Sequence, residues 1–175
     1  MLRGTQALDQ ESDARYINQL KNLNRYYDSA GRLNDVASRV IKAYKLSMAH
    51  LGAKHGTTNM SRHLYYKLLL SNKNYVEAIP LILESIANLG KRKNDSFKHI
   101  RYLDQLASLY GITKQLEKEE ETLLLLLKMN KKAFDINNED NTDIIITLAE
   151  NYCRRNKIKE FEKLITSHHL KYFCK

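Results

Sequence analysis

The chain has 175 residues, 43% of them apolar and 28% charged, with a formal net charge of +9. That balance excludes global disorder, and the length suffices for one domain that buries about 70% of its unfolded surface. Two cysteines, both late in the chain, exclude a disulfide framework and point to reduced thiols in a cytosolic or nuclear compartment.

One proline and six glycines stand against abundant Leu, Lys, Glu and Ala, so helix is favoured over strand. Residues 1–12 carry no partner stripe and are expected to form a disordered tail. Helices are then predicted near 13–30, 33–52, 60–72, 75–90, 96–113, 116–134, 142–155 and 158–173. The first pair turns at Asp28-Ser29-Ala30-Gly31-Arg32, where Gly31 suits a left-handed helix end. The second turns at Ser71-Asn72-Lys73-Asn74 and the fourth at Arg155-Asn156-Lys157. In the third, Gly111 comes early, which predicts a less sharply defined turn. Pro80 falls just past a first turn, where a mild bend is expected rather than a break. The run Glu117, Glu119, Glu120, Glu121, interleaved with Lys118, reads as a solvated face. The five leucines Leu123 to Leu127 fall far short of the roughly 20 apolar residues that a membrane span needs.

One spacing pattern organises these elements. Leu23, Tyr27, Leu33 and Val36 share it with Tyr65, Leu69, Tyr75 and Ala78, with Leu106, Tyr110, Leu116 and Glu119, and with Leu148, Tyr152, Ile158 and Phe161. Successive copies begin 42, 41 and 42 residues apart. A period in this range marks an array in which each unit buries its apolar face against its neighbours. The fold class expected is an all-α solenoid of about four antiparallel helix pairs, with repeats near 13–57, 58–94, 95–140 and 141–175.

The pattern resembles the tetratricopeptide repeat. Leu106-Ala107 with Tyr110, and Leu148-Ala149 with Tyr152, match the first-helix signature of that family; Glu77-Ala78, then Ile82 and Ser85, match its second-helix signature. The long period, and the string Glu77-Ala78-Ile79-Pro80-Leu81, are similar to the repeats of kinesin light chains. The resemblance spans residues 15–173 and implies a right-handed superhelix whose first helices line a concave groove. It also implies a non-enzymatic adaptor or scaffold that takes a peptide or helix of a protein partner within a larger assembly. By that placement the groove carries Asn18, Lys21, Asn22, Arg25, His63, Lys67, Leu70, Arg101, Asp104, Gln105, Ile146, Glu150 and Arg154. This set is basic in its first half and mixed in its second, which suits an acidic or amphipathic segment.

Signals for chemistry are absent from the sequence. There is no His-Glu-x-x-His, no paired Cys-x-x-Cys, no phosphate-cradling glycine loop and no Gly-x-Ser-x-Gly elbow, so no catalytic residue, metal or cofactor is expected. Adjacent His168 and His169 point about 100° apart on a helix and make a poor ligand pair with Cys174. Two basic clusters, Lys91-Arg92-Lys93 and Lys128 with Lys131 and Lys132, fall at helix ends, where cations meet the helix dipole favourably. A second reading is a basic helical-repeat protein that binds RNA or DNA, and a third is a peptide-sensing regulator. Ile165, Leu170 and Phe173 form an apolar C-terminal surface expected to dock on a partner or a second copy, or to meet the next repeat of a longer array.

Overall fold

The computed structural model describes residues 13–90, 93–133 and 140–174, with Lys93, Asn94 and Asp140 described by backbone alone. The tail predicted for residues 1–12 lies outside them, as do Lys91 and Arg92. Every regular element among the described residues is helical. In chain order these are α1 (Ala14–Ser29), α2 (Ala37–Leu51), α3 (Gly56–Ser71), α4 (Tyr75–Ala87), α5 (Lys93–Ile112), α6 (Leu116–Ala133), α7 (Asp140–Arg154) and α8 (Ile158–Ser167). A short 3-10 turn, Leu33–Val36, leads into α2. None of these helices is long and apolar enough to cross a membrane. The chain divides after Asn88 into two compact units, one holding α1–α4 and the other α5–α8.

A shared turn closes each helix pair. Gly31, Lys73, Lys114 and Asn156 all take left-handed backbone, with φ of 68°, 58°, 57° and 56°. The residue after each donates its N–H back to the third-last position of the helix: Arg32 to Tyr27, Asn74 to Leu69, Gln115 to Tyr110 and Lys157 to Tyr152, at 2.8–2.9 Å. This is the glycine-type helix stop, with the carbonyl of the patterned Tyr or Leu as its acceptor. The third turn is therefore as sharp as the others, which corrects the expectation drawn from Gly111. That glycine lies inside α5, and the left-handed residue is Lys114.

Burial follows most of the pattern, with Ile158, 44% exposed, as an exception. Leu106 and Leu148 are 4% and 0% exposed, and Leu69, Ala78, Tyr110, Tyr152 and Phe161 are also buried. In the first unit Leu33, Val36, Val40, Leu64 and Leu68 form one cluster, with Tyr27 and Tyr65 packed against it. Each such leucine contributes about 1.5–3 kcal/mol when fully buried. Pro80 lies within α4, which continues through it on an exposed face.

The last helix departs from expectation. It ends at Ser167, not near residue 173. His169 takes left-handed backbone, φ 54°, and Leu170 donates its N–H to Ile165 O at 3.1 Å, so the same kind of stop turns the chain back. Residues 170–174 take no regular secondary structure.

Candidate binding faces

In the first unit the two leading helices, α1 and α3, pack on each other as well as on their own partners. Lys21 is half-buried and Asn22 and Arg25 are exposed on α1, while α3 presents exposed His63 and Lys67 and half-buried Leu70. Lys21 donates to Asn18 Oδ1 at 2.7 Å, and Asn18 also accepts from Thr57 Oγ1 at 3.4 Å across the two helices. Lys67 pairs with Asp28 at 2.6 Å, a second tie between α3 and α1. Burial and then the nearby Arg25 charge hold the Lys21 ammonium below the usual lysine range. Two adjacent cations, one short of water, leave this face disposed toward an anion.

Behind that face α3 is anchored by Arg62, which is 1% exposed. Its guanidinium donates to Glu84 Oε2 of α4 at 3.0 Å, to Asn59 Oδ1 at 2.8 Å and to the Ala53 carbonyl at 3.0 Å. Tyr44 of α2 donates to the same Glu84 oxygen at 2.6 Å. Burial, then the hydrogen bond to Glu84, pushes the Tyr44 phenol up to about 12. One buried cation thus fixes three helices and holds the outward face of α3 in place.

Among the described residues of the second unit α5 packs on α6, α6 on α7 and α7 on α8. Two cavities open between them. One, of about 400 Å³, is lined by Arg101, Asp104 and Ser108 of α5, Asn130 of α6 and Asp143 and Thr147 of α7. Burial raises the Asp104 carboxyl, and the Oδ1 of Asn130 is buried with no hydrogen-bond partner. The other, of about 510 Å³, is lined by Ser108 and Ile112 of α5, by Thr147, Glu150, Cys153 and Arg154 of α7, and by Tyr172 and Cys174 from the segment after α8.

The predicted residues therefore separate by location. Arg101 and Asp104 line the first cavity, Glu150 and Arg154 the second, while half-buried Gln105 and Ile146 line neither. Ser108, Thr147 and Asn130 were not singled out in the sequence. The signal for Thr147 was available, because it lies one helical turn before Glu150 on the same side of α7.

The acidic run of α6 is not a solvated face throughout, and that expectation is corrected. Glu119 is 3% exposed and accepts from Asn151 Nδ2 and from Arg154 Nη2, both at 2.7 Å. A Cβ added at Gly111 would stand 2.5 Å from a Glu119 carboxylate oxygen, so the glycine provides the room that this side chain occupies. Glu120 pairs with Arg155 and, at 2.7 Å, with Lys157; Glu117 pairs with Arg155 at 3.1 Å. These bonds clamp α6 to the end of α7 and orient Arg154 beside the second cavity.

Cys153 and Cys174 are joined in a disulfide with Cα atoms 5.5 Å apart, which corrects the expectation of free thiols. The turn at His169 is what brings the two together. The tail is held further by Tyr172, which donates to Glu150 Oε1 at 2.7 Å and packs its ring 6.4 Å from that of Phe161. Of the predicted docking surface, Ile165 and Leu170 are half-buried and Phe173 is 81% exposed. No three His, Cys, Asp or Glu side chains among the described residues come together as metal ligands.

No family model matches the sequence, and no curated protein matches it. Solved structures do. A protein of Podosopora anserina described as a kinesin light chain with nearly identical TPR-like repeats superimposes with a TM-score of 0.71 at 16% identity, over 94% of this chain and 79% of that one. A glutamine-to-methionine variant of the same protein gives a TM-score of 0.70 at 16% identity, over 95% and 79%. With its periodic turns and buried repeat pattern, the chain is an all-α helical-repeat protein of the TPR-like type.

Proposed function

We propose that the protein is a non-enzymatic scaffold that holds an extended or helical segment of a protein partner on the faces formed by its leading helices. A TPR-like repeat fold suggests a protein-interaction scaffold in general. The observation that carries the finer reading is the composition of those faces. In the first unit they present Lys21 and Arg25 side by side, with Asn22 and His63 exposed nearby. In the second they open into cavities lined by Arg101, Asp104, Glu150 and Arg154. An acidic residue of the partner would relieve the Lys21–Arg25 repulsion, while apolar contact on Leu70 and Ile146 would add affinity.

A display library of random peptides, panned on the full chain, tests this reading. Acidic amphipathic sequences should be enriched, and the triple change Lys21→Glu, Arg25→Glu, Lys67→Glu should weaken the selected peptides by about tenfold or more. Selected peptides that bind the triple variant unchanged would refute the assignment of the first-unit face.

The nucleic-acid reading rests on the net charge of +9 and on tyrosines placed to stack bases. Tyr16 and Tyr66 are buried, Tyr27, Tyr44, Tyr65 and Tyr102 are half-buried, and Tyr26 is 71% exposed. One exposed ring makes a poor stacking platform. Binding of random single strands that stays weak at low salt would dismiss this alternative.

A further inference from the structure

We propose that residues Leu170–Cys174 are a redox-held internal ligand. While the Cys153–Cys174 disulfide is intact they cover the Glu150–Arg154 end of the second unit's binding face, and on reduction they leave it open to an extended partner segment.

Three separate contacts seat this segment. Tyr172 donates to Glu150 Oε1 at 2.7 Å, its ring lies 6.4 Å from Phe161, and the disulfide fastens Cys174 to α7. Tyr172 and Cys174 form one wall of the cavity of about 510 Å³ whose other walls are Ser108, Ile112, Thr147 and Arg154. The tail thus occupies ground that an incoming peptide would need. Its backbone carries no regular secondary structure. Phe173, at 81% exposed, adds little burial to hold the segment, and Leu170 and Tyr172 are only half-buried. Without the covalent tie, the Tyr172 hydrogen bond and ring contact and the Leu170 N–H bond to Ile165 O are the contacts described that retain it.

The step that frees it balances simply. A thiolate of an external dithiol attacks one sulfur and forms a mixed disulfide, and its second thiol then displaces the protein sulfur. The protein gains two electrons and two protons as two thiols, and the dithiol leaves as a cyclic disulfide. The proposal deepens the scaffold reading by naming what controls access to one of its faces.

The test uses the full chain, oxidised with glutathione disulfide or reduced with dithiothreitol. Alkylation followed by mass measurement should add no label to the oxidised form and two to the reduced. In amide NMR spectra, reduction should shift Ser108, Thr147, Glu150 and Arg154, move residues 170–174 to unstructured positions, and leave the first unit unchanged. The Cys174→Ser variant should reproduce the reduced spectrum. Equilibration against glutathione should give the two thiols an effective concentration about tenfold above that in urea, where a flexible chain sets the millimolar scale. Tyr172→Phe should lower it several-fold.

A disulfide that is only a staple would leave Thr147 and Arg154 signals in place on reduction, and that result overturns the proposal. So does an effective concentration equal in native buffer and in urea, or a Cys174→Ser spectrum that matches the oxidised form. Failure of the scaffold reading looks different: selected peptides would ignore both redox forms while the tail signals still respond.

Discussion

The two units solve one problem with opposite charges. Each must fix a leading helix against its neighbours, and each does so through a buried ionic side chain. In the first unit it is a cation, Arg62, gripped by Glu84, Asn59 and a backbone carbonyl. In the second it is an anion, Glu119, gripped by Asn151 and Arg154. The consequences differ. Arg62 faces the interior and leaves the outer side of α3 free, whereas Glu119 pulls Arg154 to the edge of a cavity. The first unit also packs α1 on α3, while α5 and α7 leave open volume. Equal repeats therefore yield a cationic face in one unit and a hollow one, partly filled by the chain itself, in the other.

The largest expected effect comes from removing the buried cation. Arg62→Ala should destabilise by about 3–5 kcal/mol, the range seen when one partner of a buried pair is deleted. Hydrogen exchange should localise that loss to α2–α4; a loss spread equally over α5–α8 would erase the distinction between units. Next come the patterned leucines. Leu106→Ala and Leu148→Ala should each cost about 2–5 kcal/mol by denaturant titration. Leu23→Ala, the equivalent change in the first unit, should cost less because Leu23 is only half-buried. Glu119→Gln should cost about 1–3 kcal/mol through weakened charge-assisted hydrogen bonds, and chiefly in the second unit.

The smallest effects concern pH and the turns. Tyr44 has its phenol raised to about 12 in the folded state against 10.0 for an unperturbed group, so its contribution is complete below pH 10. That contribution should fade as pH rises through about 12, and Tyr44→Phe should remove this part of the alkaline destabilisation. Lys114→Gly should stabilise by about 0.5–1 kcal/mol, because glycine takes the left-handed conformation without the steric cost of a Cβ. Gly31→Ala should do the reverse by a similar amount.

Much of the fold was legible because the 41–42-residue pattern records burial directly: its leucines and tyrosines sit where one helix meets the next. The turns were only half legible. Gly31 announces a left-handed residue and Asn156 suits one, but Lys73 and Lys114 occupy the same place with side chains that give no such signal. The buried charges were hidden for a related reason. Arg and Glu are so commonly exposed that neither Arg62 nor Glu119 reads as interior until its partners are seen. The tail was misread because Leu170, Tyr172 and Phe173 continue a helix-like apolar rhythm. The stop at His169 has no glycine to mark it, and without that turn the approach of Cys174 to Cys153 is invisible.

The central claim is that the leading helices carry the working surface. It is tested most directly by mapping a selected peptide on the full chain through amide NMR shifts. Shifts should cluster on leading-helix positions, such as Asn22, Arg25, His63 and Lys67 in the first unit or Arg101, Asp104 and Thr147 in the second. Shifts confined to trailing-helix positions such as Lys45, Glu77 and Lys163 would contradict it.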